Sequence, residues 1–99
     1  MRPIIPEVFN KDYVVVRDAK MPDAYITQSR DIAKANKSVN YNQSTRELLL
    51  PSDSIIKFIR IADNQCRIEI ISSPDPNLKR VKFYMNNYQL GNLEIEPYK

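Results

Sequence analysis

Residues 55–71 read IIKFIRI-ADNQ-CRIEII, two alternating runs joined by a short polar connection. Successive side chains of an extended strand point to opposite faces of a sheet, so Cys66, Ile68 and Ile70 are expected on one face. Arg67, Glu69 and Ile71 are then expected on the other face. Two such runs with a polar link predict an antiparallel hairpin, which is the strongest β signal in the chain.

Further strands are predicted before this hairpin. Residues 13–17 read YVVVR, and residues 46–50 read RELLL and end at Pro51. β-branched and aromatic residues favour strands, and proline ends the second run too early for a stable helix. We therefore expect a short strand in each run. Residues 18–23 contain Pro22 and are predicted to be a loop.

Residues 24–45 are predicted to be a long excursion between strands. Residues 24–28 suit a short strand, and Ser29 before RDIAKANK is compatible with an N-cap followed by two helical turns. The polar stretch 36–45 is typical of a loop. Long excursions within small domains are often functional or mobile.

Strands are also predicted after the hairpin. Residues 78–85 read LKRVKFYM, which places Val81, Phe83 and Met85 on the inner face. Asparagine tolerates positive φ, so Asn86 and its neighbour at 87 predict a turn. Residues 88–96 would return beside that strand as the last one.

These elements predict one mainly β domain of five or six short strands. An antiparallel sheet of this size must roll up to bury its apolar face, which favours a small SH3-like or OB-like barrel. Residues 12–99 would form the barrel, and residues 1–11, which contain two prolines, would be an extended N-terminal arm. Gly91 is expected where a strand bends.

The composition excludes most routes to catalysis. The 99 residues include no histidine, one cysteine and one glycine. A histidine base, a thiolate zinc site and a glycine-rich phosphate loop are therefore excluded, and neither a cofactor nor a metal is expected. Loop aspartates usually serve turns. We expect Cys66 to be a buried, inert thiol and the protein not to be an enzyme.

A basic and aromatic stripe is the candidate binding surface. The net charge is +3, which permits nucleic-acid binding without arguing for it. Cations beside aromatic rings suit phosphate contact and base stacking, but the same residues suit a solvated sheet face, which we favour. Glu94 and Glu96 are expected to pair with the cations of the neighbouring strand. The stripe consists of Arg67, Lys79, Arg80, Lys82, Tyr84 and Tyr88.

Several segments resemble bacterial SH3-like domains. Val15-Val16-Arg17 before Met21-Pro22 is similar to the strand and proline-containing loop of that family, and residues 81–93 resemble its later hairpin. The aromatic residue that follows the glycine in the family is Asn92 here, and the tryptophan that often precedes the hairpin is absent. The resemblance implies a non-enzymatic domain that binds peptides, cell-wall polymers or partner subunits, and it transfers no ligand residue.

Three functions remain open. The first is a non-catalytic protein-interaction module that docks through an exposed sheet face or the 24–45 excursion. The second is single-stranded nucleic-acid binding on an OB-like surface. The third is a structural subunit of a phage or secretion assembly, with the arm as a tether. The chain as given shows neither a signal-peptide h-region nor a run of apolar residues long enough to span a membrane, so we expect a soluble chain with no membrane insertion.

Overall fold

The computed structural model describes residues 10–62, 64–86 and 93–98. Three predictions lie outside these ranges: the N-terminal arm over most of its length, the bend at Gly91, and the position of Tyr88 in the stripe. The turn predicted at Asn86 is described only in its first residue.

The described residues form eight strands, one α-helix and one 3₁₀ turn. Within these ranges the elements are β1 Asp12–Val15, β2 Ala19–Met21, α1 Ser29–Asn36, β3 Tyr41–Asn42, β4 Glu47–Leu50, β5 Ile55–Ala62, β6 Gln65–Ser72, the 3₁₀ turn Pro76–Leu78, β7 Lys82–Asn86 and β8 Ile95–Pro97. The strands make a five-stranded sheet in the order β7-β6-β5-β1-β8 and a three-stranded sheet in the order β2-β4-β3. All pairings within these sheets are antiparallel.

The hairpin predicted from residues 55–71 is the centre of the larger sheet. Ile68 of β6 lies opposite Phe58 of β5 on one side and Phe83 of β7 on the other. All three side chains are fully buried, as the alternation predicts. The inward positions of β7 are likewise confirmed, because Val81 and Met85 are buried on the same face.

The two sheets share one hydrophobic core. Phe58 and Phe83 come from the larger sheet and Met21, Leu48 and Leu50 from the smaller one, and all five belong to the same buried cluster. Burying a side chain of this size stabilises a fold by about 1.5–3 kcal/mol. The excursion supplies additional cover, since α1 contributes the buried Ala35.

Four strand predictions are wrong. Residues 24–28 form no strand beyond the isolated bridge of Tyr25, and the stretch 36–45, predicted to be a loop, contains β3. Residues 18–23 are not all loop, because β2 pairs Lys20 with Leu49 of β4. Pro22 comes directly after β2 and therefore removes no hydrogen bond from that pairing. The last strand does not return beside β7: β8 pairs with β1 at the opposite edge, and Glu94 forms an ion pair with Arg17 at 3.4 Å rather than with the cations of β7.

The long excursion contains the predicted helix and closes the edge of β7. Helix α1 begins at Ser29, so Gln28 rather than Ser29 is the N-cap residue, and its side chain makes no capping hydrogen bond. Tyr25 forms an isolated antiparallel bridge with Tyr84 of β7. Next along this edge, the amide of Lys82 donates to the carboxylate of Asp31 at 3.4 Å.

The mainly antiparallel β class is therefore confirmed. Within the described ranges, the isolated Tyr25–Tyr84 bridge joins the segment after β2 to β7 at the edge of the larger sheet, and the two sheets are not closed into a barrel. The SH3-like barrel stays a prediction.

Candidate functional site

The predicted stripe begins on the outer face of β6 and β7. Arg67 lies directly opposite Tyr84, and Glu69 lies opposite Lys82. All four side chains are half-buried rather than fully solvated. Alternation thus placed Arg67, Lys82 and Tyr84 on the correct face.

Arg67 is neutralised by its neighbours. Its guanidinium lies 2.8 Å from the carboxylate of Glu69, two residues along the same strand. A hydrogen bond with Tyr84 raises the pKa of Arg67 despite an opposing contribution from burial, and the charge of Glu69 raises it further. Arg67 and Tyr84 are therefore joined to each other, and this half of the stripe offers little uncompensated positive charge.

The other cations of the predicted stripe, Lys79, Arg80 and Lys82, lie just before β7 or at its first residue. The amide of Arg80 donates to the carbonyl of Ile70 at 2.7 Å, and the amide of Ile70 donates to the carbonyl of Val81 at 2.9 Å. Arg80 and Val81, just before β7, thus both face Ile70 of β6, which is a β-bulge. Arg80 has a φ of 68°, in the left-handed region that glycine usually occupies at this position.

A cavity of about 480 Å³ opens beside this bulge. Its walls are the beginning of α1, the end of β6 and the beginning of β7. Arg80 and Lys82 line it, whereas Lys79 contributes a carbonyl that accepts a hydrogen bond from the Lys34 ammonium. The complete lining is Gln28, Arg30, Asp31, Lys34, Glu69, Ile70, Ile71, Arg80 and Lys82.

The sequence did not reveal an aromatic site next to Tyr84. The Tyr25 side chain is 57% exposed, and the guanidinium of Arg46 lies 5.9 Å from its ring centroid. A shallower cavity of about 390 Å³ joins Tyr25 and Arg46 to Tyr84. Only the fold brings these residues together, so no local pattern could have signalled the site.

The outer face of β5 is unexpectedly apolar. Ile55 and Ile59 are half-buried outward positions of the strand, and Val14 of β1 lies directly opposite Ile55. Ile61 lies at a register irregularity of the β5–β6 pairing, between Arg60 and Ala62. Ile61 is 47% exposed. The signal was present in the run IIKFIRI, where isoleucine occupies both alternating sets of positions.

Asp75 stabilises the loop before β7 through three hydrogen bonds. This carboxylate accepts hydrogen bonds from the hydroxyl of Ser38, from the side-chain amide of Asn40 at 2.8 Å and from the backbone amide of Asn77 at 2.9 Å. Burial raises the pKa of Asp75, but the hydrogen bonds from Ser38, Asn77 and Asn40 outweigh it and leave the pKa below its ordinary value. Asp75 therefore holds the segment after α1 against the 3₁₀ turn.

Cys66 is buried in the core, and burial raises the pKa of its thiol to about 11. Within the described ranges, no group of histidine, cysteine, aspartate or glutamate residues is arranged to hold a metal ion. No helix there has both the length and the apolar character needed to cross a bilayer.

No protein-family model matches this sequence, and comparison with curated proteins and with solved structures finds no match.

Proposed function

We propose that this chain is a non-catalytic interaction module whose partner is another protein. The docking surface is the β5 outer face, defined as Val14, Ile55, Lys57, Ile59 and Ile61. The observation that carries the proposal is the exposure of Ile61, at 47%, on the same strand as Ile55 and Ile59, two half-buried isoleucines at outward positions. An antiparallel sheet face that meets only water normally carries polar residues at such positions.

The rim of this face suits a protein rather than a polyanion. Lys57 and Asp12 lie 3.7 Å apart, and Arg67 and Glu69 lie 2.8 Å apart. Lys57 within the face and Arg67 at its rim therefore each have a carboxylate beside them. An apolar centre with a polar rim of mixed charge is typical of protein interfaces, whereas nucleic-acid surfaces carry clustered positive charge.

Site-specific photo-crosslinking tests the proposal. A benzoylphenylalanine at position 61 is compared with the same residue at position 39, because Val39 is 98% exposed and lies outside the β5 outer face. We expect position 61 to capture one protein from the cognate cell extract that position 39 does not. Capture should be lost when Ile59→Glu is added, because burying a carboxylate in an apolar contact is unfavourable.

The outcomes separate the alternatives. Equal capture at both positions, no capture at either, or capture that survives Ile59→Glu would contradict the proposal. Capture of a second copy of this chain would instead favour the structural-subunit hypothesis.

Single-stranded nucleic acid is the second candidate ligand. The exposed ring of Tyr25, beside Arg46 and next to Tyr84, favours it, because bases stack on aromatic side chains beside cations. Retention of this protein on oligothymidylate at low salt, weakened by Tyr25→Ala plus Tyr84→Ala, would support this function. Absence of retention would exclude it.

A further inference from the structure

The cavity between α1 and the bulge before β7, called here the α1–β7 cavity, has a cationic lining. Its volume is about 480 Å³, within the range of small-ligand sites. Four cationic and two acidic side chains line it. The cations are Arg30, Lys34, Arg80 and Lys82, and the acids are Asp31 and Glu69.

Both carboxylates are already engaged. Glu69 forms its ion pair with Arg67, at 2.8 Å, although Lys82 is its cross-strand neighbour. Asp31 is only 5% exposed and accepts the hydrogen bond from the amide of Lys82. Because Asp31 lies in the first turn of α1, the helix dipole also stabilises its charge. These contacts do not remove the charges of the two acids, and four cations against two carboxylates leave the lining with a net charge of +2.

Those cations differ from cations elsewhere in the fold. Arg17, Lys20 and Lys57 each lie within 4.0 Å of a carboxylate. Within residues 10–62, 64–86 and 93–98, no carboxylate lies that close to Arg30, Arg80 or Lys82. The ammonium of Lys34 is directed to a backbone carbonyl. Positive charge therefore exceeds negative charge at this cavity, and Arg30, Arg80 and Lys82 form no ion pair among the described residues.

The backbone adds a second argument at Arg80. A non-glycine residue is uncommon in the left-handed region, and glycine is the usual residue at this bulge position. Arg80 nevertheless occupies it, with a φ of 68°. Strain of this kind is often associated with function. Arg80 is also one of the residues that line the cationic cavity.

We infer that the α1–β7 cavity binds the phosphate group of a phosphate monoester. Such a group is compact and carries close to two negative charges at neutral pH, which matches the local excess of positive charge. Arginine presents a planar fork of donors to phosphate oxygens, and both Arg30 of α1 and Arg80 of the bulge line the cavity. The inference does not depend on the proposed function, although Glu69 lines this cavity and also lies at the rim of the β5 outer face.

Titration of the ¹⁵N-labelled protein with inorganic phosphate and with phenyl phosphate tests the inference. We expect saturable changes in amide chemical shift, confined to the segments that line the cavity, at residues 28–34, 69–71 and 80–82. Arg80→Gln and Arg30→Gln should each weaken phenyl phosphate binding about tenfold, as expected for loss of a charge-assisted pair. Arg17→Gln is the matched control, because it removes the same charge at an arginine that does not line the cavity.

Two more probes identify the source of the phosphate. A phosphoserine peptide that binds more tightly than phenyl phosphate would indicate a phosphorylated protein, and a peptide that binds more weakly would indicate a small molecule. Equal binding of the unphosphorylated peptide would overturn the inference. So would an equal loss of affinity in Arg17→Gln, shifts spread over the whole chain, no shift at any phosphate concentration, or tighter binding of oligothymidylate through the same residues.

Discussion

Tyr25 and Tyr84 exchange two backbone hydrogen bonds, one of 3.0 Å from the Tyr25 amide and one of 2.8 Å from the Tyr84 amide. This reciprocal pair attaches the segment after β2 to the edge of β7. With the Asp31 carboxylate on the Lys82 amide, it occupies donors that an exposed edge strand would present to another chain.

Replacement of Tyr25 by proline should therefore destabilise the fold through the backbone. Tyr25→Pro removes one amide donor and leaves the Tyr84 carbonyl unpaired, which costs about 1–3 kcal/mol in the free energy of unfolding. Tyr25→Ala is the control, because it keeps both backbone bonds and removes only the ring beside Arg46. Urea denaturation measures both variants. Equal losses in the two would mean that the ring, not the bridge, stabilises this edge.

The lowered pKa of Asp75 predicts a dependence of stability on acid. Above about pH 3.8, the ordinary value, the carboxylate is ionised in both states, and its hydrogen bonds stabilise the folded state in full. As the pH falls from there through the lowered pKa of the folded state, the unfolded chain takes up the proton first and this stabilisation is lost.

Asp75→Asn should reduce the loss of stability that the protein shows as the pH falls below about 3.8. It should also lower the free energy of unfolding at neutral pH by about 1–2 kcal/mol. Asp53→Asn is the control, since Asp53 is exposed and asparagine tolerates its φ of 73°. Urea titrations at a series of pH values measure both variants. An unchanged loss of stability on acidification in Asp75→Asn would contradict the assigned role of this carboxylate.

The left-handed backbone of the bulge residue Arg80 should lower the stability of the protein. Arg80→Gly relieves the left-handed strain and should raise the free energy of unfolding by about 0.5–1 kcal/mol. Arg80→Ala removes the same charge but keeps the strain, so it should bring no such gain. Thermal and urea unfolding compare the two variants. A gain shared equally by both would show that charge repulsion, rather than backbone geometry, strains this position.

The thiol of Cys66 should be unreactive while the protein is folded. Because the thiolate is the reactive form and burial raises the pKa to about 11, the folded protein should resist a thiol reagent at about pH 8. Addition of urea should restore the rate of an ordinary exposed cysteine. Rapid labelling of the folded protein would mean that the core opens locally at β6.

The parts of the fold that follow from short-range periodicity could be predicted. The alternation around Ile68 and Phe83 specified which side chains are buried, because a one-residue shift would turn every one of them to solvent. The pairing partner of β8 could not be predicted, because the choice between β7 and β1 depends on where the chain crosses the sheet. The sequence does not predict β2, because Pro22 argues against strand pairing in residues 18–23. In the structure Pro22 lies just beyond the paired residues and does not interrupt them.

The candidate sites divide in the same way. Arg67, Lys82 and Tyr84 followed from alternation. Arg80 is predicted to alternate outward within a strand over residues 78–85, but it lies in the bulge before β7, which begins only at Lys82. Arg30 reaches the cavity only because α1 packs near the beginning of β7. Contacts between segments this far apart in sequence leave no local pattern. Sequence also gave no indication that Glu69 neutralises Arg67, since Lys82 is the nearer partner by register.

The closure of the β7 edge also bears on how the chain folds. The β5–β6 hairpin joins neighbouring segments and can form early, whereas the Tyr25–Tyr84 bridge must first close a long loop. Until that loop closes, β7 presents an unpaired edge next to apolar side chains, and such intermediates associate readily. We therefore expect refolding yield to fall as protein concentration rises, and to fall more steeply in Tyr25→Pro than in Tyr25→Ala.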